Sequence, residues 1–134
     1  MTPLHNETLP VRTEADILLV RQFVRERTAE LGFGVLHQAK LVTAASELSR
    51  NTLIHGGGGT MLLETLVEND RRGLRLTFED KGPGIADLKQ ALKDGFTTRG
   101  GLGLGLGGSK RLVNEFEVVS RVGEGTRVTV TRWT

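Results

Sequence analysis

The spacing of apolar residues changes once along the chain, and this change constrains the fold more than any other feature. Between residues 13 and 54, apolar side chains recur every three or four positions, which predicts two amphipathic helices. Between residues 61 and 79, and again between 116 and 132, they alternate with polar side chains, which predicts antiparallel strands. Helices followed by such strands favour an α+β domain, a two-layer sandwich with helices over one face of a mixed, mostly antiparallel sheet.

Capping residues and glycines set the expected boundaries of these elements. Residues 7–12 are expected to form a short edge strand, because Pro10 is tolerated only at a sheet edge. The first helix is expected to begin at Thr13 and end at Gly32, and the second to run from about residue 36 to 54. Helical spacing relates Ile17, Val20, Val24 and Leu31, and the stripe of the second helix is Leu41, Ala44, Ala45, Leu48 and Thr52. In the strands, Met61, Leu63, Thr65 and Val67 alternate with Leu62, Glu64, Leu66 and Glu68, and Leu74, Leu76 and Phe78 share one face. Further along we expect a loop at 80–85, a short helix near 87–93, a glycine-rich stretch at 95–108, a helix through Arg111 and Val113, and a hairpin of 116–121 with 126–132.

Composition narrows the class of protein. The 134 residues suit a single domain, residues 1–134, and the absence of cysteine excludes a disulfide framework and a cysteine-ligated zinc site. The net charge of +2 is spread over interspersed acidic and basic residues, which argues against a nucleic-acid partner. No apolar stretch approaches the length of a membrane-spanning helix, about 20 residues, and the start of the chain does not resemble a signal peptide. We therefore expect a cytoplasmic protein without a membrane partner.

Asp80 lies at the end of a predicted strand, in phase with the inward-facing Leu76 and Phe78. A carboxylate directed toward the core is costly unless it meets hydrogen-bond donors. Two readings remain open: Asp80 caps the following turn, or it is the floor of a pocket and accepts a hydrogen bond from an exocyclic amino group. In the second reading, Gly82 and Gly84 let a flat ring approach the backbone.

The second predicted helix carries Glu47 and Asn51 one turn apart, with His55 one turn further on. A carboxylate and an amide oxygen at this spacing suit a general base beside a hard cation such as Mg²⁺. The alternative is an exposed polar flank of an amphipathic helix. For His55 we expect a structural role at the helix end rather than chemistry.

Nine residues, 100–108, include six glycines and precede a predicted helix. The surrounding sequence lacks the βαβ context of a dinucleotide fold and the Gly-Lys-Ser/Thr order of a phosphate-binding loop. Glycine amides before a helix N-terminus form an anion cradle, and a flexible loop is the alternative.

Taken in this order, the three features resemble the motifs of the GHKL ATP-binding superfamily, which includes gyrase, Hsp90, histidine kinases and MutL. Within it, the chain looks most like the small anti-sigma-factor serine/threonine kinases of bacterial partner switching, especially the RsbT-type switch kinases. The matching segments are residues 47–51 with His55 (N box), 80–85 (DxGxGI adenine box), 101–106 (second glycine box) and Gly125-Thr126 (terminal GT motif). The resemblance spans nearly the whole chain and implies the Bergerat fold.

The resemblance also implies roles for individual residues. Glu47 would be the general base, Asn51 would coordinate Mg²⁺ on the ATP phosphates, and Asp80 would accept the adenine amino group. Thr126 would assist through water, and residues 86–105 would form an ATP lid. The other implied nucleotide-binding residues are Gly82, Gly84, Ile85, Arg99 (toward the γ-phosphate), Gly101, Gly103, Leu104 and Gly105.

The function implied is that of a serine/threonine protein kinase that transfers the ATP γ-phosphoryl group to a STAS-domain antagonist in stress signalling. Implied further partners are a PP2C-type phosphatase, a sigma factor and a large stressosome assembly. The main alternative is an ATP-binding anti-sigma or switch module that sequesters its partner with little or no phosphotransfer. A histidine-kinase catalytic fragment and a basic nucleic-acid binder are the weaker alternatives.

Overall fold

The computed structural model describes residues 2–85 and 106–134 of the chain. Its elements are β1 (Thr2–Val11), α1 (Glu14–Glu30), α2 (Val35–Ile54), β2 (Gly59–Glu68), β3 (Arg71–Asp80), α3 (Leu106–Arg111), β4 (Glu115–Arg121) and β5 (Gly125–Trp133). The helix predicted near residues 87–93 lies outside the described residues.

The five strands form one sheet in the order β1-β2-β3-β5-β4. Every neighbouring pair is antiparallel, so the mixed character expected of the sheet is wrong for the residues described. Strands β3 and β4 run parallel to each other, because both are antiparallel to β5, which lies between them. The first strand is an edge strand, as Pro10 predicts, but it begins at residue 2 rather than 7.

Both long helices begin and end close to the predicted residues. Thr13 caps α1, since its hydroxyl oxygen accepts a hydrogen bond from the Asp16 backbone N–H at 3.1 Å. Gly32 follows the helix with a φ of +84°, a conformation that favours glycine. The second helix begins at Val35, one residue before the prediction, and all five residues of its expected stripe are buried.

The two long helices pack together, and the core lies between them and one face of the sheet. The inward-facing residues of β2, β3 and β5 in this core are Met61, Leu63, Leu74, Leu76, Phe78, Val128 and Val130. Strand register places Asp80 opposite Thr126 and on this same face, which confirms the predicted phase. The carboxylate therefore lies at the end of the core, under the C-terminal part of α2.

Burial at the end of β2 departs from the simple alternation: Val67, in phase with Met61 and Leu63, is 37% exposed, whereas its neighbour Leu66 on the other face is fully buried. Leu66 pairs with Gly73, which in turn pairs with Trp133, so these three residues share the outer face of the sheet. A β-carbon at Gly73 would lie 2.5 Å from the indole ring. Because Gly73 has no side chain, the Trp133 ring can lie flat against the outer face at this end of β3, where Leu66 is buried.

The last helix also differs from its prediction. It begins at Leu106, inside the glycine-rich stretch, and ends at Arg111, so Val113 lies beyond it. Leu106 and Ser109 are buried, and α3 packs against α2. Glycine has a low helix propensity, and the burial of these two residues stabilises the helix in spite of Gly107 and Gly108. No helix within the described residues is long and apolar enough to cross a membrane.

Candidate functional site

A cavity lies between the C-terminal half of α2 and the ends of β3 and β5. The empty space within it and in the open solvent at its mouth amounts to about 480 Å³. Its lining residues are Leu48, Asn51, Thr52, His55, Gly56, Phe78, Asp80, Gly84, Ile85, Leu106, Thr126 and Val128. Most of the wall is apolar and a few polar side chains converge on it, which is the usual composition of a small-molecule site.

Asp80 is the acidic side chain of this cavity. Its Oδ1 accepts a hydrogen bond from the Gly82 backbone N–H at 2.9 Å, and the Thr126 backbone N–H also donates to the carboxylate. Burial raises the pKa of the Asp80 carboxyl above its ordinary value, although these two hydrogen bonds oppose the shift. Asp80 therefore caps the turn, as the first reading predicts, and it also lines the cavity. Its role as the acceptor of a ligand amino group stays a prediction.

Gly56, immediately after α2, lies directly against the Asp80 carboxylate. A β-carbon on Gly56 would lie 2.3 Å from the Cγ of Asp80. Such a contact is far closer than real carbon atoms approach, so a side chain here requires the carboxylate or the helix end to shift. No local sequence pattern indicates this role of Gly56, because the contact joins segments that are distant along the chain.

The loop of residues 81–85 is held on the turn between β4 and β5. The Gly123 backbone N–H donates to the Pro83 carbonyl oxygen at 2.7 Å. Gly84 has a φ of +75°, and a β-carbon there would lie 2.1 Å from the Arg121 carbonyl oxygen. Only glycine fits this position, and the close approach fixes one wall of the cavity.

Ser120 connects this loop to the sheet and is a second residue that sequence reasoning missed. Its hydroxyl oxygen accepts a hydrogen bond from the Ile85 backbone N–H at 2.8 Å and lies 2.8 Å from the hydroxyl oxygen of Thr126. Thr126 shares the core face with Val128 and Val130, as its phase predicts, and lines the cavity. The alternation of β4 places Ser120 on the inward face, so that phase was the signal available.

The three residues predicted to lie along one face of α2 do not all reach the cavity. Asn51 and His55 line the cavity, whereas Glu47 is exposed one turn earlier and is not part of the lining. His55 is the C-cap of α2, which agrees with its expected place at the helix end. Burial lowers the pKa of the His55 imidazole, and the nearby Asp80 carboxylate opposes this shift only in part.

The residues present fit a magnesium ion only in company with a ligand that supplies further oxygens. Within residues 2–85 and 106–134, no group of three histidines, cysteines or acids is arranged to hold a metal. Asn51 lines the cavity and carries an amide oxygen, and Mg²⁺ commonly takes one or two protein oxygens together with phosphate oxygens and water. This donor set therefore suits a metal that arrives with a phosphorylated ligand.

Five residues predicted for nucleotide binding line the cavity together. A sixth, Gly82, is connected to them by the hydrogen bond from its backbone N–H to Asp80. The five are Asn51, Asp80, Gly84, Ile85 and Thr126. The remaining predicted residues, Arg99, Gly101, Gly103, Leu104 and Gly105, lie outside the described part of the chain, as does the whole lid at 86–105. Their roles stay predictions.

Comparison with known proteins gives several matches of high coverage. Residues 36–133 match the family described as histidine kinase-, DNA gyrase B-, and HSP90-like ATPase. The chain is 45% identical over 123 residues to serine/threonine-protein kinase RsbT of Bacillus subtilis (strain 168), with 92% of each chain covered. It is 32% identical over 118 residues to the anti-sigma F factor of Thermoanaerobacter sp. (strain X514), covering 84% of this chain and 82% of that one.

A solved structure supports the same assignment. The crystal structure of the RsbU and RsbW domains of Rv1364c from Mycobacterium tuberculosis matches with a TM-score of 0.64 at 26% identity. The match covers 98% of this chain and 32% of that chain, so this chain spans about a third of the crystallised one. The predicted α+β fold and the predicted resemblance are confirmed, and the chain belongs to the histidine kinase-, DNA gyrase B- and HSP90-like ATPase family.

Proposed function

We propose that the protein is a serine/threonine kinase of a bacterial partner-switching system. In this proposal it transfers the γ-phosphoryl group of ATP to a serine or threonine of a STAS-domain antagonist protein. The observation that carries the proposal is the half-buried Asp80 carboxylate at an otherwise largely apolar cavity, flanked by Asn51 on α2. The enzyme class, an ATP-dependent protein-serine/threonine kinase, is confirmed by the RsbT relative together with the ATPase family match.

The cavity supports adenine binding in its shape and its polarity. Leu48, Phe78 and Ile85 supply apolar walls for a flat purine ring, and Asp80 supplies an acceptor for its amino group. Ser120 holds the Thr126 hydroxyl in place beside this acceptor. These residues bind and orient the nucleotide and take no part in bond making.

Asn51 is the residue proposed to hold Mg²⁺. When bound with the nucleotide, the ion neutralises negative charge on the phosphates. The amide oxygen of Asn51, one turn of α2 before the adenine end of the cavity, would orient that ion. Replacing Asn51 by alanine is therefore expected to weaken the Mg²⁺-dependent part of ATP affinity.

Glu47 is the proposed general base. Its carboxylate takes the proton of the substrate hydroxyl as the hydroxyl oxygen attacks the γ-phosphorus, while the bond to the bridging oxygen breaks and ADP leaves. Glu47 is exposed, which suits a group that must meet a side chain of another protein. A positioned base contributes about 10²–10⁴ in rate.

The partners proposed are those of a switch kinase. The identity to RsbT and to anti-sigma F factors supports a STAS-type antagonist as substrate and a sigma factor as a second partner. The matched crystal structure holds RsbU and RsbW domains, which supports a PP2C-type phosphatase as a third. Membership of a large stressosome assembly and a cytoplasmic location complete the proposal.

A phosphotransfer assay tests the central claim. The purified protein is incubated with Mg·ATP and a candidate STAS antagonist, and the intact mass of the antagonist is measured with wild type and with Glu47→Gln. We expect wild type to add the mass of one phosphate group, with acid-stable phosphoserine or phosphothreonine as the product. We expect Glu47→Gln to bind ATP normally and to leave the antagonist unmodified.

The anti-sigma F relatives favour one alternative, a module that sequesters its partner in an ATP-dependent manner with little phosphotransfer. The same assay separates the two functions. An antagonist that binds the wild-type protein tightly in the presence of ATP and gains no phosphate would support sequestration and contradict the kinase proposal.

A further inference from the structure

Among the described residues, the sheet ends in two edge strands, β1 and β4, and the features that protect an edge differ between them. β1 carries Pro3 and Pro10, and its register with β2 shifts between Pro3 and His5. Prolines and register irregularities are devices by which natural sheets prevent a further strand from adding. β4 contains no proline, and its register with β5 is unbroken from Glu115 to Arg121. β4 is therefore the less protected edge.

One end of β4 is already covered by the loop of residues 81–85. The Ile85 backbone N–H donates to the Ser120 hydroxyl oxygen, and a β-carbon on Gly84 would lie 2.1 Å from the Arg121 carbonyl oxygen. The preceding five residues, 115–119, pair with β5 alone within residues 2–85 and 106–134. An edge of this kind presents unpaired N–H and C=O groups, and five residues is about the length of an ordinary strand.

The outer face of this open segment carries an acid that nothing else in the described residues neutralises. Glu115, Glu117 and Val119 point outward, and all three are exposed. Glu115 accepts a hydrogen bond from the Trp133 indole N–H at 2.8 Å. Glu117 lies opposite the uncharged Thr129 and makes no ion pair with any described residue. Glu117 is thus available to a basic side chain from outside.

The inner face of the same segment is apolar and incompletely covered. Phe116 and Val118 pack against the core but are only partly buried. Side chains that are directly opposite in neighbouring strands interact, so that opposite charges stabilise a pair of strands and like charges destabilise it. A strand beside β4 therefore needs apolar side chains on the inner face and a basic side chain opposite Glu117.

We propose that residues 115–119 of β4 bind an extended segment of a partner protein by strand addition, and that apolar and basic side chains alternate along this segment. In this mode of recognition, main-chain hydrogen bonds supply affinity and alternate side chains supply specificity. A second copy of this chain is a poorer match, because two-fold antiparallel pairing of these five residues sets Glu117 opposite its own copy. The proposal does not depend on the proposed function, since none of the five residues lines the cavity.

Peptide titration of the intact chain, followed by backbone amide NMR and hydrogen exchange, tests strand addition. The probe is a short capped peptide in which valine alternates with lysine. Alternate N–H groups of an edge strand point away from its neighbour, so we expect some amides of residues 115–119 to exchange fast in the free protein and to slow when the peptide is added. The same peptide with methylated backbone nitrogens should leave their exchange fast.

Charge exchange tests the specificity. A peptide with glutamate in place of lysine should bind wild type roughly three- to tenfold more weakly than the lysine peptide, the effect of one cross-strand charge pair. Glu117→Lys should reverse this preference, and Glu117→Gln should abolish it. Glu124→Lys is the matched control, because Glu124 is an exposed acid in the turn that follows β4, and it should keep the wild-type preference.

Four results would overturn the proposal. The first is slow exchange of all five amides in the free protein, which shows that the edge is already occupied; sedimentation then distinguishes a second copy from other residues of the same chain. The second is the absence of any shift of these amides with the lysine peptide. The third is a preference for that peptide that persists in Glu117→Lys, and the fourth is its loss in Glu124→Lys.

Discussion

Replacing Asp80 by asparagine tests the reasoning about the cavity most directly, because it removes a charge and changes the shape very little. The side-chain oxygen that accepts from the Gly82 N–H at 2.9 Å is retained in asparagine. What is lost is the ionised acceptor for a ligand amino group. A hydrogen bond to a charged group contributes about 1.5–3 kcal/mol, so ATP affinity should fall about ten- to hundredfold.

The same substitution should change how the stability of the ligand-free protein depends on pH. The pKa of Asp80 is raised above 3.8 by burial, so the folded state binds the proton more tightly than the unfolded state does. The stabilisation that follows from this is complete below the unfolded pKa and is lost as pH rises through the folded pKa. Asparagine does not titrate. The melting temperature of Asp80→Asn minus that of wild type should therefore increase from pH 4 to pH 8.

Calorimetry for affinity and thermal denaturation at several pH values measure both effects. Glu79→Gln is the matched control, since Glu79 precedes Asp80 on the same strand but is exposed and pairs with Arg127 on the outer face. We expect it to bind ATP as wild type does. A melting-temperature difference that decreases toward pH 8 in Asp80→Asn, or an unchanged ATP affinity, would refute the account of a desolvated acceptor.

Other substitutions probe separate parts of the site. Glu47→Ala should retain ATP affinity by calorimetry and lose phosphate transfer to the antagonist by at least about a hundredfold; unchanged labelling would contradict its role as base. Ser120→Ala removes the acceptor of the Ile85 N–H and should lower the free energy of unfolding in urea by about 1–2 kcal/mol, with weaker ATP binding. Gly84→Ala forces a side chain into the left-handed region and against Arg121, and should lower that free energy by at least about 1 kcal/mol. Wild-type stability in the last variant would show that the loop can move away from the hairpin.

Local periodicity predicted most of the fold. The bounds of α1 and α2, the inward phase of Asp80 and Thr126 and the C-cap position of His55 all follow from spacing and capping, which depend on neighbours within a few residues. The errors fall where a distant residue intervenes. Packing against α2 starts α3 among glycines that spacing alone assigned to a loop, and the Trp133 ring lies against Gly73 on the outer face, where Leu66 is buried.

The amino-acid sequence by itself determined the two periodicities, the order of helices and strands, and the presence of an acid at the end of an inward-facing strand. Tertiary structure decided which polar groups meet. The strand register sets Asp80 beside Thr126, the contact between Gly56 and the carboxylate brings the end of α2 to the same place, and Ser120 joins the loop to the sheet. Contacts between segments that lie far apart along the chain arise only when the layers pack, so no local pattern encodes them.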